Sequence, residues 1–135
     1  MAFRFLEHTA DVQAECTGAT FEELLESAAQ ALYAVALMET RDAREVECHL
    51  AVMGNTREEL LVRWLQELIF LLDTNAYVAA HYVFEGLRDD TLKATIHGYA
   101  CKPDERAEEV KSATYHELKV TETDEGYVAR IIFDL

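Results

Sequence analysis

Hydrophobic and polar residues recur along the chain with two different periods, which predict its strands and helices. Alternation with a period of two predicts strands over residues 2–6, 12–17, 45–52, 82–87, 92–100, 114–123 and 127–135. Apolar residues at helical spacing predict two amphipathic helices between these strands. Because helices and strands are mixed at first and strands alone follow, we expect an α+β fold. It would be a two-layer sandwich, with both helices packed on a mixed, largely antiparallel sheet.

Both predicted helices begin with the sequence pattern of a capping box. Thr20 and Glu23 stand three residues apart at the first start, and Thr56 and Glu59 repeat the spacing at the second. Each threonine oxygen can accept a hydrogen bond from a free backbone N–H of the first turn, and each glutamate can reach back to the preceding main chain. The two helices are therefore predicted to begin at these threonines.

Length and composition favour one packed core. The chain has 135 residues, of which 50% are hydrophobic and one is proline, so we expect a single domain over residues 1–135. Its three cysteines are far apart and form no C-x-x-C pair, which favours neither a zinc knuckle nor a disulfide framework. No apolar run is long enough to cross a membrane, and no signal sequence is apparent. We therefore expect a reducing, cytoplasmic location.

The net charge of the chain limits the kinds of molecule that we expect it to bind. The formal net charge is −14, and nucleic-acid affinity depends largely on Lys and Arg displacing counterions from phosphates. Direct nucleic-acid binding is therefore not expected. An acidic surface suits metal cations or a basic partner protein, although solubility alone would also explain most of the acidic residues.

Several enzyme motifs are absent from the sequence. It has no glycine-rich phosphate loop, no G-x-S-x-G elbow and no H-E-x-x-H pair. Polar groups are instead concentrated near the chain ends. His8, Thr9 and Asp11 follow the first strand, where a simple turn in which Asp bonds its own backbone is the alternative.

The second polar group is at the carboxyl end. Alternation places Ile131 and Phe133 on the core face and Asp134 on the exposed face, beside the α-carboxylate of Leu135. Two carboxylates with a third from elsewhere would provide the oxygen ligands that Ca²⁺, Mg²⁺ or Mn²⁺ prefer. A solvated acidic end is the alternative interpretation.

The third polar group covers residues 110–118. Strand alternation predicts His116 on the inner face with Leu118 and Val120, where it could be a functional group or a hydrogen-bonded core residue. Lys111 precedes this strand in an acidic stretch. It could form an ordinary ion pair, of little energetic value, or serve as a placed cation.

Taken together, four segments resemble the archease family. They are residues 5–11 (FLEHTAD), 60–68 (LLVRWLQEL), 110–118 (VKSATYHEL) and the final Asp plus aliphatic residue, in the same order and spread over the whole chain. The resemblance implies a protein that activates the GTP-dependent RNA ligase, which joins 3′-phosphate or 2′,3′-cyclic-phosphate ends to 5′-hydroxyl ends in tRNA splicing. It implies promotion of ligase guanylylation and of multiple turnover, without independent catalysis.

The same resemblance implies residue roles. The family's metal site corresponds to Asp11, Asp134 and the terminal Leu135, and Lys111 corresponds to a functionally implicated lysine. His8 and His116 are further candidates for activation of the partner. Two alternatives stay open: a chaperone-like modulator of a tRNA methyltransferase, and a metal-dependent hydrolase with His8 as its base.

Overall fold

The structure, a computed structural model, describes residues 2–6, 11–88 and 90–135. The strands are β1 (Ala2–Phe5), β2 (Asp11–Gly18), β3 (Val46–Met53), β4 (Tyr77–Arg88), β5 (Thr91–Ala100), β6 (Ser112–Thr114), β7 (Val120–Thr123) and β8 (Gly126–Asp134). The helices are α1 (Phe21–Ala36), α2 (Arg57–Asn75) and a short 3₁₀ turn at Pro103–Glu105.

The two helices begin as their capping residues predict. The Thr20 hydroxyl accepts a hydrogen bond of 3.1 Å from the N–H of Glu23, and the Glu23 carboxylate accepts one of 2.8 Å from the N–H of Ala19. Thr56 accepts in the same way from the N–H of Glu59, also at 3.1 Å. These bonds satisfy N–H groups that a helix start leaves free. Neither helix in the described part of the chain combines the length and apolar character needed to cross a bilayer.

The strands form two antiparallel sheets. One sheet has the order β1-β2-β8-β6, with β7 also paired to β8, and the other has the order β3-β5-β4. Strand β8 therefore has β2 on one side and both β6 and β7 on the other. The expected α+β architecture, with two helices packed on largely antiparallel strands, is confirmed, and the predicted single sheet is divided in two.

The helices and both sheets share one hydrophobic core. Helix α1 packs mainly on β1, β2 and β8, and α2 on β3, β4 and β6. Trp64 of α2 is fully buried, and its indole N–H donates a 2.9 Å hydrogen bond to the carbonyl of Leu25 in α1. On its other side the indole ring contacts Tyr82 and Phe84 of β4. This side chain thus ties the two helices to the second sheet.

The prediction of one continuous strand over residues 114–123 is wrong for the middle of that range. The chain leaves β6 at Thr114, turns, and re-enters the sheet only at Val120. The turn is closed by a 3.0 Å bond from the N–H of Leu118 to the carbonyl of Tyr115, and Glu117 adopts a positive φ of 54°. Since alternation does not continue through such a turn, His116 is not on the core face and its side chain is exposed.

Candidate functional site

The register of β2 and β8 places Asp11 directly opposite Asp134. The neighbouring residues Val12 and Phe133 also pair with each other, and both are buried. The apolar positions thus fix which face of the sheet meets the core, and they turn the two aspartates together to the outer face. Side chains opposite each other in an antiparallel pair have Cβ atoms about 4.5–5.5 Å apart.

A third strand brings Lys111 to the same place. Ser112, the first residue of β6, pairs with Asp134 on the side of β8 away from Asp11. One residue earlier, the N–H of Lys111 donates a 2.8 Å hydrogen bond to the carbonyl of Asp134. Lys111 is exposed, and Leu135 is partly buried against the core. The packing of Leu135 fixes the main chain that carries its carboxylate.

A groove runs along the outer face of the same sheet. It has a volume of about 450 Å³, and its floor is formed by residues of β2 and β8. The turn between β6 and β7 contributes one wall. The lining residues are Asp11, Gln13, Glu15, His116, Glu117, Lys119, Thr121, Val128, Ala129, Arg130 and Ile132.

The structure brings most of the predicted site residues into one region. Asp11 lies opposite Asp134 and also lines the groove with His116. The His116 ring is 3.8 Å from the Glu117 carboxylate, and its backbone N–H donates to the Thr114 hydroxyl. His8 lies outside the described residues.

The donor chemistry of this region suits a hard divalent cation. Two carboxylates opposite each other on adjacent strands repel, which costs about 0.2–1 kcal/mol, and a cation between them would reverse the sign of that interaction. In residues 2–6, 11–88 and 90–135, no three His, Cys, Asp or Glu side chains already surround a common point. The predicted ligand set takes its third donor from the main chain, at the carboxylate of Leu135.

Sequence reasoning missed several residues around the site. Ser112, Lys119 and Arg130 all lie beside the predicted residues, yet Lys119 and Arg130 belong to no recognisable motif, and Ser112 was not singled out within residues 110–118. The sequence pattern does indicate the position of Arg130, because the alternation of β8 places it on the same face as Asp134. The position of Lys119 depends on the turn after β6, and the alternating pattern of residues 114–123 gives no indication of that turn.

Comparison with known proteins identifies similar chains. Residues 3–135 match the model of the archease protein family (MTH1598/TM1083). Protein archease of Archaeoglobus fulgidus is 34% identical over the whole of both chains, and that of Sulfolobus acidocaldarius is 32% identical over 98% of each.

Two solved structures share the fold. Protein 1598 of Methanobacterium thermoautotrophicum has a TM-score of 0.81 at 32% identity and covers 98% of each chain. A Thermotoga maritima protein, described as an archease and possible chaperone, has a TM-score of 0.68 at 23% identity. That match covers 96% of this chain and 94% of the Thermotoga chain.

Proposed function

Because the chain belongs to the archease family, we propose that it activates a GTP-dependent RNA ligase. The ligase is the enzyme that joins 3′-phosphate or 2′,3′-cyclic-phosphate ends to 5′-hydroxyl ends in tRNA splicing and RNA repair. The chain would promote guanylylation of the ligase and its repeated turnover, and would not carry out catalysis of its own. The observation that supports this function is the pairing of Asp11 with Asp134 across β2 and β8.

Asp11, Asp134 and the carboxylate of Leu135 would hold a divalent ion, either Ca²⁺, Mg²⁺ or Mn²⁺. Such an ion, when bound, supplies positive charge that favours the charged transition state of nucleotidyl transfer. The residues themselves orient the site: strand pairing holds the two aspartates on one face, and the core contact of Leu135 restrains the chain end.

Charge supports a protein partner over direct RNA binding, and we place this partnership in the cytoplasm as part of the proposal. A net charge of −14 would repel RNA but attract the basic surroundings of a ligase active site. Lys111 and His116 flank the paired aspartates and are both exposed. We assign them, with His8, as the side chains that contact the partner.

A guanylylation assay tests this function. The ligase of the same organism would be incubated with labelled GTP and Mn²⁺, with and without the chain, and covalent GMP on the ligase would be counted over time. Asp11→Asn and Asp134→Asn should each abolish the stimulation, since each removes one carboxylate and keeps the side-chain shape.

Glu15→Gln is the matched control. Glu15 lies on the same face of β2 as Asp11, but its carboxylate pairs with Arg4 at 3.1 Å, so its replacement should leave stimulation intact. Undiminished stimulation by either asparagine variant, with the protein folded, would refute the proposed site.

A second candidate function is a chaperone-like modulator of a tRNA methyltransferase or another RNA-processing enzyme. The description of the Thermotoga relative as a possible chaperone favours it. This function requires suppression of client aggregation without metal, GTP or ligase. It also requires that the Asp134→Asn variant retain that suppression, which distinguishes it from ligase activation.

A further inference from the structure

A second polar cluster lies on the outer face of the other sheet. Glu47 and His49 of β3 are two residues apart and therefore point to the same side. His97 of β5 pairs directly with Glu47, and Thr95 pairs with His49. The inner face of these strands, with Leu50 and Ile96, meets the core, so the four polar side chains face solvent.

Two imidazole nitrogens approach one carboxylate in this cluster. His49 Nε2 is 2.9 Å from Glu47 Oε2, and His97 Nε2 is 3.9 Å from Glu47 Oε1. Each oxygen of Glu47 therefore has an imidazole nitrogen near it. Two histidines and one carboxylate form a ligand set that zinc and related ions use in proteins.

His49 contacts Thr95 through one ring nitrogen and Glu47 through the other. The Thr95 hydroxyl is 3.5 Å from a Glu85 carboxylate oxygen, which can only accept, and 3.1 Å from His49 Nδ1. When this hydroxyl donates to Glu85, it accepts from the Nδ1–H of His49, and the Nε2 atom of a neutral ring is then free to bind a metal ion.

The lone pair of His49 Nε2 then faces the negative Glu47 oxygen at 2.9 Å. In this tautomer His49 Nε2 and the Glu47 carboxylate can hold a metal ion together. The Thr95 bond also resembles the contact that fixes the tautomer of metal-binding histidines.

We propose that Glu47, His49 and His97 bind a divalent transition-metal ion of borderline softness, with Zn²⁺ as the representative. A tetrahedral zinc ion with ligands about 2.0–2.1 Å away holds its donor atoms about 3.3 Å apart. His49 Nε2 and His97 Nε2 lie 2.9 and 3.9 Å from different oxygens of Glu47, so the side chains must rotate to bring one donor from each residue to the same ion. The three side chains do not surround a common point in the structure, but Glu47, His49 and His97 are exposed by 54%, 70% and 28%, so they have room to rotate towards one.

This site differs in its sheet and its chemistry from the pair Asp11 and Asp134. Imidazole nitrogens favour zinc, cobalt, nickel and copper, whereas the sheet-edge carboxylates favour calcium, magnesium and manganese. A large excess of Ca²⁺ should therefore fill the carboxylate site and leave the histidine site free for Zn²⁺. The two sites can thus be measured independently in one protein.

Zinc titration of the untagged full chain tests the proposal. Calorimetry would be done with Ca²⁺ in millimolar excess, and the imidazole proton signals would be followed by NMR in parallel. We expect one saturable Zn²⁺ per chain, with the signals of His49 and His97 shifted. Glu47→Gln, His49→Ala and His97→Ala should each weaken binding by more than about tenfold, since losing even an outer partner of a ligand costs about 10–100-fold.

His116→Ala is the matched control, because His116 is also exposed and 3.8 Å from a glutamate, and no second imidazole of the described residues lies at that carboxylate. His81→Ala tests the neighbouring ring, whose centroid is 5.9 Å from that of His97. Both variants should bind Zn²⁺ as the original chain does. The proposal is overturned by absence of saturable binding, by unchanged binding in Glu47→Gln and His49→Ala, or by loss of binding in either control.

Discussion

Replacing Asp134 with asparagine should stabilise the metal-free protein and remove its stabilisation by metal. The reason is the register that sets Asp134 directly opposite Asp11. Like charges in that arrangement destabilise a sheet by about 0.2–1 kcal/mol. Neutralising one of them should recover that free energy of unfolding, and Asp11→Asn should have the same effect.

The size of the change can be translated into a melting temperature. For a chain of 135 residues, 1 kcal/mol corresponds to about 3–5 °C, so the metal-free variant should melt about 1–5 °C above the original chain. With metal at 100 times its dissociation constant, binding adds about 2.7 kcal/mol to the original chain only. The order of the two melting temperatures should therefore reverse between chelator and metal.

Thermal unfolding followed by circular dichroism, at low salt, is the suitable assay. One series would contain EDTA and the other Ca²⁺ or Mn²⁺, and added salt should shrink the EDTA difference because it screens exposed charges. Glu15→Gln is again the control: Glu15 pairs with Arg4 and lies opposite Arg130. Replacing Glu15 should lower the free energy of unfolding by about 0–1 kcal/mol. The rise in melting temperature that metal produces should stay intact.

Two results would refute this reasoning. If Asp134→Asn melts below the original chain in EDTA, the two carboxylates do not repel and Asp134 has a stabilising partner. If metal raises the melting temperature of the variant as much as that of the original chain, the ion binds elsewhere.

Four further predictions concern packing, ionisation, thiol reactivity and the chain end. Gly98→Ala would place a methyl carbon 1.9 Å from the carbonyl oxygen of Val78, so β4 and β5 must separate; urea unfolding should show a loss of about 1–3 kcal/mol or more. Burial raises the pKa of the Cys16 thiol from 9.0 to about 12. The folded chain therefore keeps a proton that the unfolded chain loses, and stability should fall by up to about 1.4 kcal/mol per pH unit as pH rises between those two values. The half-buried Cys48 should react with a thiol reagent before Cys16 does. One glycine added after Leu135 converts its carboxylate to an amide, and the melting-temperature increase produced by Ca²⁺ should disappear.

Local signals in the sequence were sufficient for the helices. Thr20 and Thr56 cap them in the structure as their spacing to Glu23 and Glu59 predicts. Capping depends on residues within one turn of each other, so no knowledge of the tertiary fold is needed. Most strands followed from alternation for the same reason.

Strand partners and the turn after Thr114 required information that local patterns lack. Alternation states which face of a strand is buried, but not which strand lies beside it, so the division into two sheets was not predictable. Alternation with Leu118 and Val120 predicts His116 on the inner face, whereas β6 ends at Thr114 and Glu117 has a positive φ in the turn that follows. Similarly, the pairing of Asp11 with Asp134 depends on a register between residues far apart in sequence.

The central position of β8 has a consequence for the order in which the protein can be made. Strands β2 and β6 do not pair with each other; both pair with β8, between them. On a ribosome, the first sheet therefore remains open until residues 126–134 have been synthesised and released from the exit tunnel. Early pairing of β2 with β8 is disfavoured during folding, because the two strands are far apart in sequence and a long loop must be closed to join them. The paired aspartates at the far end of β8 thus come together only after β8 has been made and paired, and a partner that binds them would discriminate against chains that lack β8.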